Sequence, residues 1–154
     1  MIVVDLPSEA ATGALALRIA GLAQRADIIA LKGDLGTGKT TFARAFIRGL
    51  GEKEDEVPSP TFTLVQVYQL APAAVWHFDL YRLRDPEEAW ELGIEDAFID
   101  GISLIEWPER LGSLLPKRRL EIALEFGDHP GARRASLDPG TAWHARLAAI
   151  AADA

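Results

Sequence analysis

The chain has 154 residues, a formal net charge of −7 and no cysteine, a length that suits one domain spanning residues 1–154. The missing cysteines exclude disulfides, thiolate nucleophiles and Cys-based zinc sites, and the acidic balance argues against a broad electrostatic grip on nucleic-acid phosphates. With no Lys or Arg before Arg18, no long apolar signal core and no run near the roughly 18 apolar residues of a membrane span, a soluble cytoplasmic protein is expected.

Ile2-Val3-Val4 reads as an edge strand, and Ser8 as the cap of a helix with the stripe Leu15, Ile19 and Leu22. Ile28-Ile29-Ala30-Leu31 is the short apolar run of a central strand. Phe42, Phe46 and Leu50 recur at helical spacing, and Gly49 and Gly51 supply a stop. Between strand and helix, Gly33-Asp34-Leu35-Gly36-Thr37-Gly38-Lys39-Thr40 fits G-x-x-x-x-G-K-[ST], the phosphate-binding P-loop. Its glycines let backbone N–H groups converge on phosphate oxygens, and the helix N-terminus adds a dipole that favours negative charge. Lys39 is expected to reach the β and γ phosphates and the Thr40 hydroxyl to ligate Mg²⁺.

Glu52-Lys53-Glu54-Asp55-Glu56 reads as a charged loop leading into Val57-Pro58-Ser59-Pro60, where two prolines forbid a central strand. Thr61 follows. Its hydroxyl and N–H can sense a γ-phosphate and Mg²⁺ as a switch does, or it is a strand-starting Thr chosen for β-propensity. Phe62 to Leu70 and Val75 to Leu83 are β-rich and are joined by Ala71-Pro72-Ala73-Ala74 as a hairpin. Period-two alternation puts Trp76, Phe78 and Leu80 on one face and His77, Asp79 and Tyr81 on the other. Asp85 caps a helix with Pro86 at its first position, ending near Gly93. Ile102-Ser103-Leu104-Ile105, closed by Glu106-Trp107-Pro108, is a second core strand. Leu120, Ile122, Leu124 and Phe126 alternate with Glu121, Ala123 and Glu125 in a half-exposed strand that Gly127 to Gly131 turns back. Trp143, Leu147 and Ile150 form the stripe of a closing helix.

P-loop enzymes place an acidic residue at the end of an apolar strand to help hold Mg²⁺ and its waters, and Glu106 stands there, with a capping carboxylate as the alternative. Asp79 can hold a Mg²⁺-bound water, orient an attacking water, or pair with Arg82 or His77. A lone strand histidine such as His77 reads as hydrogen-bonded and structural. Tyr81 and Trp107 read as packing aromatics at the edge of a site. Arg133 and Arg134, beside Gly131, are open between contact with the nucleotide and a solvated basic turn.

Several phrases coincide in order and spacing from about Glu9 to Leu115. Gly33 to Thr41, Ser59-Pro60-Thr61-Phe62-Thr63-Leu64, His77-Phe78-Asp79-Leu80-Tyr81-Arg82, Glu88 through Ile94, and Leu104-Ile105-Glu106-Trp107-Pro108-Glu109 together resemble the TsaE family, formerly called YjeE. The resemblance implies a small bacterial ATPase that is needed to make threonylcarbamoyladenosine beside the anticodon of tRNA. It implies action on the TsaD and TsaB proteins, with tRNA reached through them. Carried over by position, Lys39 and the loop residues Asp34, Leu35, Gly36, Thr37, Gly38, Thr40 and Thr41 match the nucleotide site, and Thr40 and Glu106 match the Mg²⁺ ligands. Asp79 matches a functionally required aspartate and Glu9 an N-terminal nucleotide-pocket residue; Arg134 is taken as a further pocket residue from its place beside Gly131 and not from the resemblance. Lys39, Thr61, Asp79 and Glu106 are the catalytic candidates. Pro58 and the acidic run before it depart from the small polar or basic residue of many relatives, and after Phe126 the resemblance fades.

The expected fold is a three-layer P-loop α/β domain with a mixed, mostly parallel central sheet and an added antiparallel hairpin. The expected function is Mg-ATP binding and slow hydrolysis coupled to a tRNA-modifying complex. Rival readings are a small-molecule kinase, for which the chain lacks an arginine-dense lid, a GTPase, for which it lacks Asn-Lys-x-Asp, and a nucleotide-gated scaffold that needs no turnover.

Overall fold

A computed structural model describes residues 1–51 and 63–153. The expectations for Glu52 to Glu56, for Val57 to Pro60, for Thr61 and for Phe62 lie outside the described residues.

The apolar runs become seven strands of one sheet: β1 (Ile2–Leu6), β2 (Ile28–Lys32), β3 (Val65–Tyr68), β4 (Val75–Asp79), β5 (Ile102–Glu106), β6 (Leu120–Phe126) and β7 (Arg133–Asp138). They lie in the order β1-β7-β6-β2-β5-β4-β3. The centre β6-β2-β5-β4 is parallel throughout. β3 adds antiparallel to β4 as the expected hairpin, and β7 and β1 extend the other side antiparallel. The expected edge strand at Ile2 is therefore found, and the sheet is mixed with a parallel core.

Helices α1 (Glu9–Ala20) and α2 (Lys39–Gly49) cover one face. Leu15 and Ile19 of α1 meet Phe42 and Phe46 of α2 over Ile29 and Leu31 of β2, all of them buried. The opposite face carries helix α3 (Ile94–Asp100) and 3₁₀ turns at Pro86–Leu92 and Pro108–Leu114, packed on Ile28, Phe78 and Ile105. Because β2 and β5 are covered on both faces, every residue from Ile28 to Leu31 and from Ile102 to Ile105 is buried, which is why these segments read as continuous rather than alternating runs.

Four local expectations change. Strand β4 stops at Asp79: Leu80 N–H makes the last rung to β5 on Glu106 O (3.2 Å), and the chain then turns, with Leu83 N–H on Leu80 O (3.0 Å). Tyr81 is thus set by that turn and not by strand alternation with His77 and Asp79. Asp85 does cap the next segment, through a reciprocal capping box with Glu88, but the segment is a 3₁₀ turn, and Gly93 in the left-handed region separates it from α3. No strand is expected over β7, yet it pairs along β1 and β6, with Ala135 and Leu137 buried between polar Arg134, Ser136 and Asp138. Finally, Trp143, Leu147 and Ile150 are buried as expected, but regular helix α4 (Ala148–Asp153) begins only after two of them.

The segment before α4 is fastened to the turn preceding β2. Arg146 donates to both carboxylate oxygens of buried Asp27 (2.7 and 2.9 Å) and to Leu22 O (3.0 Å), while its guanidinium lies 3.9 Å from the centre of the Trp143 ring. Removing one partner of such a pair strands a buried carboxylate. Arg146→Ala should therefore lower unfolding free energy by about 3 kcal/mol, the low end of the range for a broken buried pair because Arg146 keeps some solvent contact. Urea denaturation monitored by tryptophan fluorescence measures it, and a loss below about 0.5 kcal/mol would show that the pair is an ordinary surface contact.

Candidate functional site

The carboxyl ends of β2, β4 and β5 face one rim of the sheet, where ligands of open α/β sheets bind. A cleft of about 570 Å³ opens there. The P-loop forms its floor. Gly33 has φ of +145°, and a Cβ on it would lie 2.5 Å from Thr37 Oγ1 and 2.6 Å from Leu124 O, so no other residue fits without displacing backbone. Gly38, at φ of +101°, turns the chain into α2 and leaves its first N–H groups facing the cleft. Thr37 closes the turn from inside, donating its hydroxyl to Asp34 O (2.8 Å).

Lys39 begins α2 and bends back over the loop. Its ammonium donates to Gly33 O and to Asp34 O and sits 4.0 Å from the centre of the Trp107 ring. Trp107 presents that face because it turns out of β5 at φ of +60°, and it packs in turn on Tyr81 at 4.9 Å. Burial pulls the Lys39 pKa below its ordinary value, opposed by Glu106, Glu109, Asp79 and Asp34.

Glu106 ends β5 and Asp79 ends β4, and the two are register partners on neighbouring parallel strands. Glu106 is almost fully buried. Its carboxylate accepts from the Thr40 hydroxyl (2.9 Å to Oε1, 3.1 Å to Oε2) and from His77 Nε2 (2.7 Å to Oε2). Asp79 Oδ1 accepts the Tyr81 N–H at 3.2 Å.

Of the residues singled out in the sequence, Glu9, Leu35, Gly36, Gly38, Lys39, Thr40, Thr41, Asp79 and Glu106 all line the cleft. Asp34 and Thr37 shape the loop from outside it. Arg134 is not brought to the cleft: it points away on β7, exposed, and donates to Asp5 at 2.9 Å. Its neighbour Arg133 takes the inward position, because consecutive strand residues face opposite ways. Arg133 donates to Thr37 O and Gly36 O (3.0 Å each) and lies 5.0 Å from the centre of the Phe126 ring. Thr61 lies outside the described residues. Thr12 lines the cleft unforeseen, with a buried hydroxyl that has no partner among the described residues. The available signal was its place one helical turn after Glu9.

A glycine-rich turn between a central parallel strand and a helix, with a lysine and threonine in the first helical turn and a carboxylate at the end of the adjacent strand, defines a P-loop α/β protein. Similarity to known proteins narrows the class to a family. The model of the family described as "Threonylcarbamoyl adenosine biosynthesis protein TsaE" matches residues 6–135. A relative from Haemophilus influenzae called tRNA threonylcarbamoyladenosine biosynthesis protein TsaE is 44% identical over 106 residues, 68% of this chain and 66% of that one. The protein of the same name from Rickettsia conorii is 42% identical over 80% of this chain and 71% of its own length, and that from Bacillus subtilis 39% over 74% and 71%. The crystal structure of Bacillus subtilis YdiB superposes with a TM-score of 0.77 and 27% identity, covering 99% of this chain and 94% of that one. The chain belongs to the TsaE family of tRNA threonylcarbamoyladenosine biosynthesis.

Arg133 holds two P-loop carbonyls, so the loop's shape depends on a side chain from another strand. Arg133→Ala should speed hydrogen exchange of the amides from Gly36 to Lys39 by about tenfold, the equivalent of ~1.4 kcal/mol of local opening, while the melting temperature barely moves. Exchange rates equal to wild type would remove Arg133 from the support of the loop.

Proposed function

We propose that the cleft binds Mg-ATP and hydrolyses it slowly, and that this activity serves threonylcarbamoyladenosine modification of tRNA in the cytoplasm together with TsaD and TsaB. The observation that carries the reading is the convergence of Lys39, Thr40, Asp79 and Glu106 on one cleft at the N-terminus of α2. A volume of about 570 Å³ suits a nucleotide-sized ligand.

The residues fit Mg²⁺. Thr40 and Glu106 offer hard oxygen donors side by side, and Mg²⁺ characteristically takes one or two protein oxygens and completes its shell with phosphate and water. When bound it supplies neutralisation of charge on the β and γ phosphate oxygens.

The remaining work falls to the chain's own groups. The amides at the start of α2 and the Lys39 ammonium bind phosphate oxygens, with Lys39 exchanging Gly33 O and Asp34 O for them. Asp79 is assigned the role of orienting a water for attack on the γ phosphorus. Thr61 is assigned the role of sensing that phosphate. Arg133 is committed to loop carbonyls rather than aimed at a transferred group, which supports slow turnover by the protein alone and a gain when its partners are present. A formal charge of −7 supports contact with tRNA through those partners rather than directly.

Lys39→Ala should remove most binding of a fluorescent ATP analogue while leaving the fold intact. Glu106→Gln should keep nucleotide binding but require about tenfold more Mg²⁺ for its metal-dependent part. Titrations with and without Mg²⁺ check both, alongside phosphate release by wild type alone and with TsaD, TsaB and tRNA. Wild-type affinity in Lys39→Ala would overturn the phosphate-site assignment, and an unchanged Mg²⁺ requirement in Glu106→Gln would move the acidic role to Asp79.

A further inference from the structure

His77 is fully buried in the middle of β4, and its environment is unusual for a histidine that only fills space. Its Nε2 lies 2.7 Å from Glu106 Oε2, while Nδ1 is buried with no hydrogen-bond partner among the described residues. A carboxylate can only accept, so Nε2 carries the proton and Nδ1 is bare in the neutral ring. An apolar side chain would occupy this core position at lower cost than a half-satisfied imidazole. What an apolar side chain could not do is hold Glu106.

Glu106 needs holding. Its two oxygens share one Thr40 hydroxyl, which has a single proton and contacts both at nearly equal distance (2.9 and 3.1 Å). The hydroxyl alone therefore leaves the carboxylate free to swing about its last torsion, which is broad for an sp³–sp² bond. His77 breaks that symmetry by gripping Oε2 from the sheet side. The parallel register places His77 beside Leu104 and Asp79 beside Glu106, so the ring reaches the carboxylate from two residues deeper in the sheet, on the same face as Asp79.

We propose that His77 is a positioning residue that fixes the Glu106 carboxylate toward Thr40 and so sets the Mg²⁺ affinity of the site without touching nucleotide. This rests on the Mg-ATP reading above. Orienting partners behind a metal ligand typically change metal affinity by about 10–100-fold.

The test uses two amides that differ in reach. Gln places its side-chain nitrogen near the position of Nε2, whereas the shorter Asn does not reach Glu106. In the full chain, binding of fluorescent ADP is titrated in EDTA and then against Mg²⁺. His77→Asn should raise the Mg²⁺ concentration at half-effect by about tenfold or more with metal-free ADP affinity unchanged, and His77→Gln should recover most of the wild-type requirement. In a Glu106→Gln background His77→Asn should add no further shift, since its effect passes through the lost carboxylate. If His77→Asn does not fold, His77→Leu, which has no donor, takes its place with the same expectations. Equal behaviour of the Asn and Gln variants, equal loss of metal-free and Mg²⁺-dependent binding, or additive shifts with Glu106→Gln would each overturn the positioning role. Failure of the wild type to bind ADP at all would overturn the Mg-ATP reading itself, and this inference with it.

Discussion

Glu106 is a carboxylate taken almost entirely out of water at the end of a core strand, and the architecture around the cleft follows from making that tolerable. A buried charge without partners is costly by several kcal/mol, so it must be met by donors or cations. Here the partners come from two elements: Thr40 and the Lys39 charge from the first turn of α2, and His77 from β4. Each contact ties a secondary-structure element to β5. The same polar cluster thus registers α2 and β4 against the sheet.

The P-loop shows a second form of dependence. Its glycines permit the backbone path, but permission is not rigidity. Rigidity comes from Thr37 turned inward on Asp34 O, from Lys39 on Gly33 O and Asp34 O, and from Arg133 on Thr37 O and Gly36 O. These donors occupy carbonyls and leave the amides of the helix start facing the cleft. Lys39 is the exception, since its hydrogen bonds and the Trp107 face hold it on the loop itself. An anion at the helix start would exchange the lysine–carbonyl contacts for ones in which donor and acceptor are both charged.

Much of this was legible along the chain because the relevant signals are local. A P-loop is contiguous, so its residues name themselves. The central strands were visible because burial on both faces demands unbroken apolar runs, and Ser8 and Asp85 were visible because a cap is a short-range interaction. The misreadings share one cause. Strand β7 offers only Ala135 and Leu137 as an apolar alternation, too short to read apart from its two neighbours, β4 leaves the sheet once its last rung to β5 is made, and Arg133 and Arg134 differ only in which side of β7 they occupy. Composition near Gly131 could point to a basic pair but not to the pleat.

The amino-acid sequence by itself determined the class of the protein, the strand–loop–helix that carries Lys39 and Thr40, and the carboxylates at the ends of two strands, because each follows from residue type at fixed short spacing. Only the tertiary structure decided which groups meet. That Asp79 stands beside Glu106 follows from the parallel pairing of β4 with β5, that His77 grips Glu106 follows from the register of that pairing, and that Arg133 rather than Arg134 supports the loop follows from the pairing of β7 with β6 and β1. Those choices are made by hydrogen-bond register between segments distant in the chain, and no local pattern encodes a register.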